Sequence, residues 1–310
     1  MFMKVLITGG NGNLGRLVAA SLESSGTQVI SFDLPGTLGA FSKIRHATVL
    51  GDIRNHELLK RVLETHKPNA IIHLASMLSG SSEANPSAAW DINASASISL
   101  MRLCLEKVDG PFFFASTAAT YGPDLTSPVI LDTPQWPENV YGATKVAVER
   151  MGVYLKICQN LDFRCIRFPM VLSPLAPTGA ITAYPSHAIV AATRGEAFDF
   201  PVDCMTGMST IYLNDVTRSI IEICQAKRRD LRHHIYNLHS FYFDTQQLAN
   251  AIKARYPSFE YTFQPGTSVD NLIRRWPNEF DDQAARQDWG WKPKYDFSAT
   301  IEALSNATHE

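Results

Sequence analysis

The apolar positions in the first half of the chain switch repeatedly between two periods. Lys4-Val-Leu-Ile-Thr8 is a short run rich in β-branched residues that Gly9 ends at once, and from Leu14 the apolar residues Leu14, Leu17, Val18 and Leu22 recur at helical spacing. This opening predicts strand, glycine turn, helix. Gln28–Asp33 and the stretch from Ala47 to Ile53 predict a second and a third strand, Ala70–Ala75 a fourth, Pro111–Ser116 a fifth and Phe163–Arg167 a sixth. Long helices are expected from Ser87 to Lys107 and from Val140 to Gln159. Continuous apolar strands between amphipathic helices imply a parallel sheet covered on both faces. After Pro169 the rhythm breaks. Prolines at 169, 174, 177, 185 and 201 suggest loops and short elements draped over the carboxyl edge of the sheet, where ligands of such folds bind.

The expected fold class is therefore α/β, a Rossmann-type doubly wound parallel sheet with a smaller C-terminal lobe. Residues 1–170, with part of 208–240, should form the dinucleotide-binding domain and 171–310 mainly the substrate-binding lobe. Glycines 9, 12 and 15 are spaced G-x-x-G-x-x-G between the first strand and helix. Small residues there let the backbone approach a pyrophosphate, and a helix N-terminus supplies N–H donors with partial positive charge. Gly9, Gly12, Asn13, Leu14 and Gly15 are the expected cradle; a plain flexible turn is the competing reading. Asp33 ends the second strand, where a carboxylate can accept both ribose hydroxyls of an adenosine and would repel a 2′-phosphate. Leu34, Pro35 and Gly36 follow it, without a cation, so NAD is favoured over NADP. Asp52 and Ile53, at the end of the third strand, are placed near the adenine, although an acid there can also serve only as a turn former.

Composition narrows the class. With 310 residues, 45% of them hydrophobic, the chain can fill a sizeable core in one large or two intimate domains. A net charge of −2 argues against a nucleic-acid surface, and Lys227-Arg-Arg229 is followed by Asp230. The cysteines at 104, 158, 165, 204 and 224 show no C-x-x-C spacing and read as reduced thiols, with no disulfide framework and no metal site. No apolar run is long enough to span a bilayer and no signal peptide precedes the first strand, so a cytoplasmic protein without a membrane partner is expected.

The candidate chemistry rests on Tyr141-Gly-Ala-Thr-Lys145. Positions i and i+4 share a helix face, and an ammonium beside a phenol favours the phenolate and lowers a pKa of about 10. Alone the pair is weak, because surface helices produce it by chance. Its place in a collinear series gives it weight: Thr8-Gly-Gly-x-Gly-x-x-Gly15, Asp33, Asp52-Ile53, His73-Leu-Ala-Ser76, Asn93, Ser116-Thr117 ahead of Tyr121-Gly122, Tyr141-x-x-x-Lys145 and Arg167-Phe-Pro169. In this series the chain resembles the extended short-chain dehydrogenase/reductases. The resemblance implies that Tyr141 is the acid/base, that Thr117 hydrogen-bonds the reacting oxygen, and that Lys145 holds the nicotinamide ribose and lowers the tyrosine pKa. It puts Leu74, Ala75 and Pro169 along the cofactor and gives Asn93 a supporting role. His73, on an apolar strand, is expected as a packed core histidine.

The second half resembles the short-chain L-threonine 3-dehydrogenases within that family, through Ala89-Trp90, Trp276-Pro277, Phe280-Asp-Asp282 and Ala285-Arg-Gln-Asp-Trp-Gly-Trp-Lys292, and through His73-Leu-Ala-Ser-Met-Leu-Ser-Gly80. This implies NAD-dependent oxidation of the 3-hydroxyl of threonine or a related β-hydroxy amino acid, with Ser79, Thr117, Tyr141, Gly179, Thr182, Arg275 and Trp276 around the substrate, and a homodimer built on paired long helices. The chain departs from those enzymes in Thr178-Gly-Ala-Ile-Thr-Ala-Tyr184, which has lost an acid at Ala183, and in Arg275 and Met170. Arg275 either faces the pocket, where it would select a more acidic substrate, or faces solvent. A nucleotide-sugar epimerase or dehydratase shares the N-terminal motifs and is the alternative. A non-catalytic, redox-sensing dinucleotide binder is a third, against which all three catalytic positions are filled.

Overall fold

The computed structural model describes residues 4–36, 46–123, 125–174 and 181–307. Strands β1 (Lys4–Thr8), β2 (Gln28–Asp33), β3 (Ala47–Leu50), β4 (Ala70–His73), β5 (Phe112–Thr117), β6 (Phe163–Phe168) and β10 (Tyr236–Asn237) form a parallel sheet in the order β10-β6-β5-β4-β1-β2-β3. The chain runs outward from β1 to β3, then crosses back to β4. This reversal beside β1 opens the crevice at which a doubly wound fold binds its ligand.

Apart from the edge strand β3, the strands bury both faces, which is why they read as unbroken apolar runs. Leu6, Ile71, Phe112 and Phe114 point to one side, where helices α2 (His56–His66), α5 (Ala96–Lys107) and α6 (Val140–Gln159) contribute Leu59, Leu100 and Val148. Val5, Ile7, Ile72 and Phe113 point to the other, against Val18 and Leu22 of α1 (Asn13–Ser24) and Val216 and Ile220 of α8 (Leu213–Gln225). The C-terminal Ala285 and Trp291 belong to this second layer. Trp291 is fully buried, and its indole N–H donates to Asp282 at 3.1 Å. The tryptophan-rich C-terminal segment is therefore an anchor onto the sheet.

The third core lies in the smaller lobe. A sheet of β7 (Met170–Leu172), β9 (Gly207–Tyr212) and β11 (Phe241–Asp244) and the pair β8 (Phe198–Phe200) with β12 (Tyr261–Phe263) pack with α7 (Tyr184–Thr193), α9 (Thr245–Arg255) and α12 (Phe297–Ala307) around Phe200, Phe243 and Phe259. The region after Pro169 is more regular than its prolines suggest. Pro185 sits in the first turn of α7, where its missing N–H has no intrahelical partner to lose.

Helix α6 has the expected bounds. Asn139 caps it by accepting Gly142 N–H at 2.7 Å, and Asn160, at φ 64°, ends it in the left-handed conformation. The helix expected over 87–107 is interrupted. It runs as α4 (Pro86–Ala89), a π-helical turn over Trp90–Ser95, and α5, and the turn carries Asn93. Widened turns of this kind concentrate at functional sites. Among the described residues, no helix is long and apolar enough to cross a membrane.

Candidate active site

The glycine turn is shaped for close backbone approach. Gly9 has φ +70°, and a Cβ there would lie 2.7 Å from the Ala75 nitrogen; a Cβ on Gly15 would collide with the Gly9 carbonyl and the Gly10 backbone. Gly12 is the N-cap of α1, no side chain caps it, and no acid occupies the first turn. The side chain of Leu14 packs into the apolar clusters on either side, so its backbone, with that of Asn13 and Gly15, is what meets the turn. Asp33 is held at the end of β2 by two backbone N–H groups, Asn11 to Oδ2 and Leu34 to Oδ1, both at 2.8 Å. The Ser31 hydroxyl donates to Asn11 Oδ1 at 2.8 Å. Asn11 and Ser31 were not anticipated; a serine inside an apolar strand was the available signal. Leu74 and Ala75 leave β4 against Thr8, with Leu74 N–H 3.0 Å from the Thr8 carbonyl and Ala75 N–H 3.5 Å from its hydroxyl. A cradle that a Cβ would fill, next to an oriented carboxylate, fits a dinucleotide.

Asp52 organises the turn after β3: its Oδ1 accepts the Arg54 N–H at 2.9 Å, and both its oxygens take the Arg54 guanidinium, at 3.0 and 2.6 Å, a pairing that holds the carboxyl below its ordinary value. Ile53 turns its side chain into the core.

His73 is a buried core histidine, as expected. Its Nδ1 lies 2.6 Å from the Thr8 hydroxyl and its Nε2 2.7 Å from the Ser97 hydroxyl, and Ser97 donates to the Asn93 carbonyl at 2.6 Å. Burial, with the Lys145 charge adding to it, pushes His73 down to about 3, so the ring is neutral. Asn93 ties the β4 exit to α6. Its Oδ1 accepts Met77 N–H at 2.7 Å and the Ser76 hydroxyl at 3.0 Å, while its Nδ2 donates to the Met77 carbonyl at 3.1 Å and the Thr144 hydroxyl at 3.4 Å.

Thr117, Tyr141 and Lys145 come together where β5 meets the start of α6. Thr117 Oγ1 accepts the Ala119 N–H at 3.2 Å. Lys145 is buried; its Nζ donates to the Ala115 carbonyl at 2.9 Å and lies 4.6 Å from the Phe114 ring centroid and 5.3 Å from that of Tyr141. The expected lowering of the tyrosine pKa by lysine is not seen. Burial pushes Tyr141 up to about 12 and pulls Lys145 down to about 8. The ammonium is spent on a carbonyl and sits over the ring face, so desolvation outweighs attraction.

At Ala118, the residue after Thr117, a cavity of about 10 Å³ lies between the sheet edge and the lobe, lined by thioethers and rings from Met170, Met208, Trp276 and Phe280, with Pro169; Thr117 and Tyr141 do not line it. Trp276 thus faces the cleft. The guanidinium of its neighbour Arg275 pairs with Glu138 at 2.9 Å, and both side chains are about half exposed. Ser79 begins α3 (Ser79–Ala84), which is tied to α6 by Val140 N–H donating to Glu83 at 2.6 Å. Thr182 stands in the single 3₁₀ turn before α7. Gly179 lies outside the described residues.

A glycine cradle, an oriented strand-end acid and a half-buried Tyr141 beside a buried Lys145 mark an NAD-dependent enzyme of the dehydrogenase/epimerase class. The chain belongs to the NAD dependent epimerase/dehydratase family, whose model matches residues 5–238, and NAD is its cofactor. It is 29% identical to the mitochondrial L-threonine 3-dehydrogenase of Sus scrofa over 98% of this chain and 82% of that protein. The structure of the L-threonine dehydrogenase of Clostridium difficile superposes with a TM-score of 0.93 at 26% identity, covering 99% of this chain and 98% of that one. A UDP-glucose 4-epimerase from Thermotoga maritima, 21% identical with a TM-score of 0.90 over 99% of both chains, shares the fold.

Two outcomes follow from this geometry. Titration should give at least roughly tenfold tighter binding of NAD than of NADP, the scale of one or two charged hydrogen bonds, and Asp33→Ser should erase most of that ratio. His73 binds a proton more weakly folded than unfolded, so the unfolded chain takes up the extra proton between about 6.5 and about 3. Its stabilising contribution is therefore full above pH 6.5 and is lost as pH falls through that window. The midpoint of urea unfolding should fall over that range less steeply in His73→Asn than in the unchanged protein.

Proposed function

We propose that the protein is an NAD-dependent dehydrogenase that oxidises the 3-hydroxyl of L-threonine, or of a close β-hydroxy amino acid, to the 3-keto product. The observation that carries this reading is the small cavity between Ala118 and the lobe with its thioether and aromatic wall. A space of about 10 Å³ is near the least that holds one water, which suits a methyl-sized substituent on the reacting carbon. A cavity of this size has no room for a nucleoside diphosphate. This favours a small hydroxy acid over the nucleotide-sugar epimerase or dehydratase reading. The similarity to L-threonine 3-dehydrogenases over nearly the whole chain points the same way.

In the proposed reaction Thr117 Oγ1 already accepts the Ala119 N–H, so its own proton is directed to the carbinol oxygen. Tyr141 accepts the hydroxyl proton at its phenolic oxygen. Because burial holds that phenol neutral, charge from Lys145 and from the loaded site must bring it toward phenolate. NAD, when bound, supplies the hydride acceptor and a positive ring. Asp33 would hold the adenosine ribose and the Gly9–Gly15 turn the pyrophosphate. Arg275 is committed to Glu138, so the more acidic substrate that a pocket arginine would select is not part of this proposal. A homodimer through α5 and α6 is the proposed assembly; the exposed Tyr154 and Ile157 on α6 support it.

A panel of L-threonine, L-serine, β-phenylserine and UDP-glucose, followed by NADH formation and by epimer analysis, tests the reading. L-threonine should be oxidised, and β-phenylserine should be at least tenfold poorer in kcat/KM, roughly what one to three kcal/mol of pocket fit provides. Met170→Ala should narrow that gap by widening the cavity. Tyr141→Phe should lower kcat by roughly two to four orders of magnitude with NAD binding nearly intact. Epimerisation of UDP-glucose without oxidation of any hydroxy acid would establish the alternative.

A further inference from the structure

Glu149 is a carboxylate with no solvent exposure that the roles above do not use. It lies on α6 one turn beyond Lys145 and two beyond Tyr141. Its Oε1 accepts the Ser116 hydroxyl at 2.5 Å and Arg167 Nε at 3.0 Å; its Oε2 accepts Arg167 Nη2 at 2.8 Å and Gln135 Nε2 at 2.9 Å. Ser116 immediately precedes Thr117 on β5. Arg167 is on β6, two residues before Pro169, and Gln135 is in the segment that enters α6. Arg167 extends the set, donating from Nη1 to the Tyr121 hydroxyl at 2.5 Å with its guanidinium 4.9 Å from that ring. Tyr121 in turn donates to Asn237 Oδ1 at 3.0 Å and lines the cavity.

We propose that Glu149, with Arg167, is a positioning residue of the reaction: it locks the Thr117 strand end to the Tyr141 and Lys145 helix and supplies the buried negative charge that keeps Lys145 an ammonium. The inference rests on the dehydrogenase reading above. A surface acid would do neither, whereas removing one partner of a buried ion pair leaves an uncompensated charge in the layer between β5, β6 and α6. The titratable groups that face Lys145 are Tyr141 and Glu149 from α6, Cys165 from β6 and His73 from β4. β5 adds only the Ala115 carbonyl and the Phe114 ring. His73 is neutral, and burial pushes Cys165 well up and Tyr141 to about 12, whereas Glu149 stands in an ion pair with Arg167. Burial lowers Lys145 to about 8, and Cys165 and Glu149 work against that fall.

The test uses the full chain with Glu149→Gln and Ser116→Ala, measuring NAD affinity by tryptophan fluorescence across pH, kcat across pH, and thermal melting. In Glu149→Gln, Lys145 should lose its proton earlier, so that NAD affinity and kcat both decline on the alkaline side about one pH unit or more below the unchanged protein. A purely structural acid would lower the melting temperature and leave that limb in place, which overturns the proposal. The NAD titration needs no substrate, so a wrong substrate assignment appears separately, as no oxidation with the pH shift still present. If Glu149→Gln does not fold, Ser116→Ala decides: kcat about tenfold lower with NAD affinity and KM nearly unchanged supports the locking role, and an unchanged kcat refutes it.

Discussion

The site depends on burying one ammonium. Lys145 is carried into the layer between α6 and the sheet, where water no longer solvates it, and the surrounding groups are arranged to make that tolerable: the Ala115 carbonyl accepts from it, the Phe114 face lies beneath it, and Glu149 stands one turn away. Desolvation is the larger effect on both members of the Tyr141/Lys145 pair, since it moves each toward its neutral form. A pair poised in this way responds strongly to any further charge that enters the crevice, because low dielectric magnifies the interaction.

The same edge is governed by backbone distance. Gly9 and Gly15 bring the β1 turn against Ala75 and against its own backbone, so the exits of β1 and β4 form one surface. His73 joins these exits to the π-helical turn through Thr8 and Ser97, and Asn93 joins that turn to α6. The glycine turn and α6 are therefore parts of one hydrogen-bonded assembly, in which His73 can serve as a neutral bridge because it is buried. The wall of the small cavity comes from elsewhere. Met170, Met208, Trp276 and Phe280 come from three separate segments of the second half and meet at Ala118.

The order of strands, the bounds of α6, the glycine turn and the core placement of His73 were legible because each has a local cause: a period of two or of about 3.6, a capping asparagine, a glycine between strand and helix. The long helix over 87–107 was legible as helix but not as interrupted, since the widened turn at Asn93 is held by Met77 and Thr144, which are distant in sequence. The regularity after Pro169 was hidden because proline counts as a breaker everywhere except in a first turn, and where a turn begins depends on what the helix packs against.

By itself the sequence determined the doubly wound class, the position of the dinucleotide turn and acid, and the pairing of Tyr141 with Lys145, because all of these follow from residue type and short spacing. Tertiary structure decided what those residues experience. It buried Lys145 and raised the tyrosine pKa instead of lowering it, gave Arg275 to Glu138, and placed a carboxylate with no obvious sequence signal at the junction of β5, β6 and α6. Burial, and a pairing such as that of Arg275 with Glu138, depend on the whole packed chain, and no local window of sequence contains them.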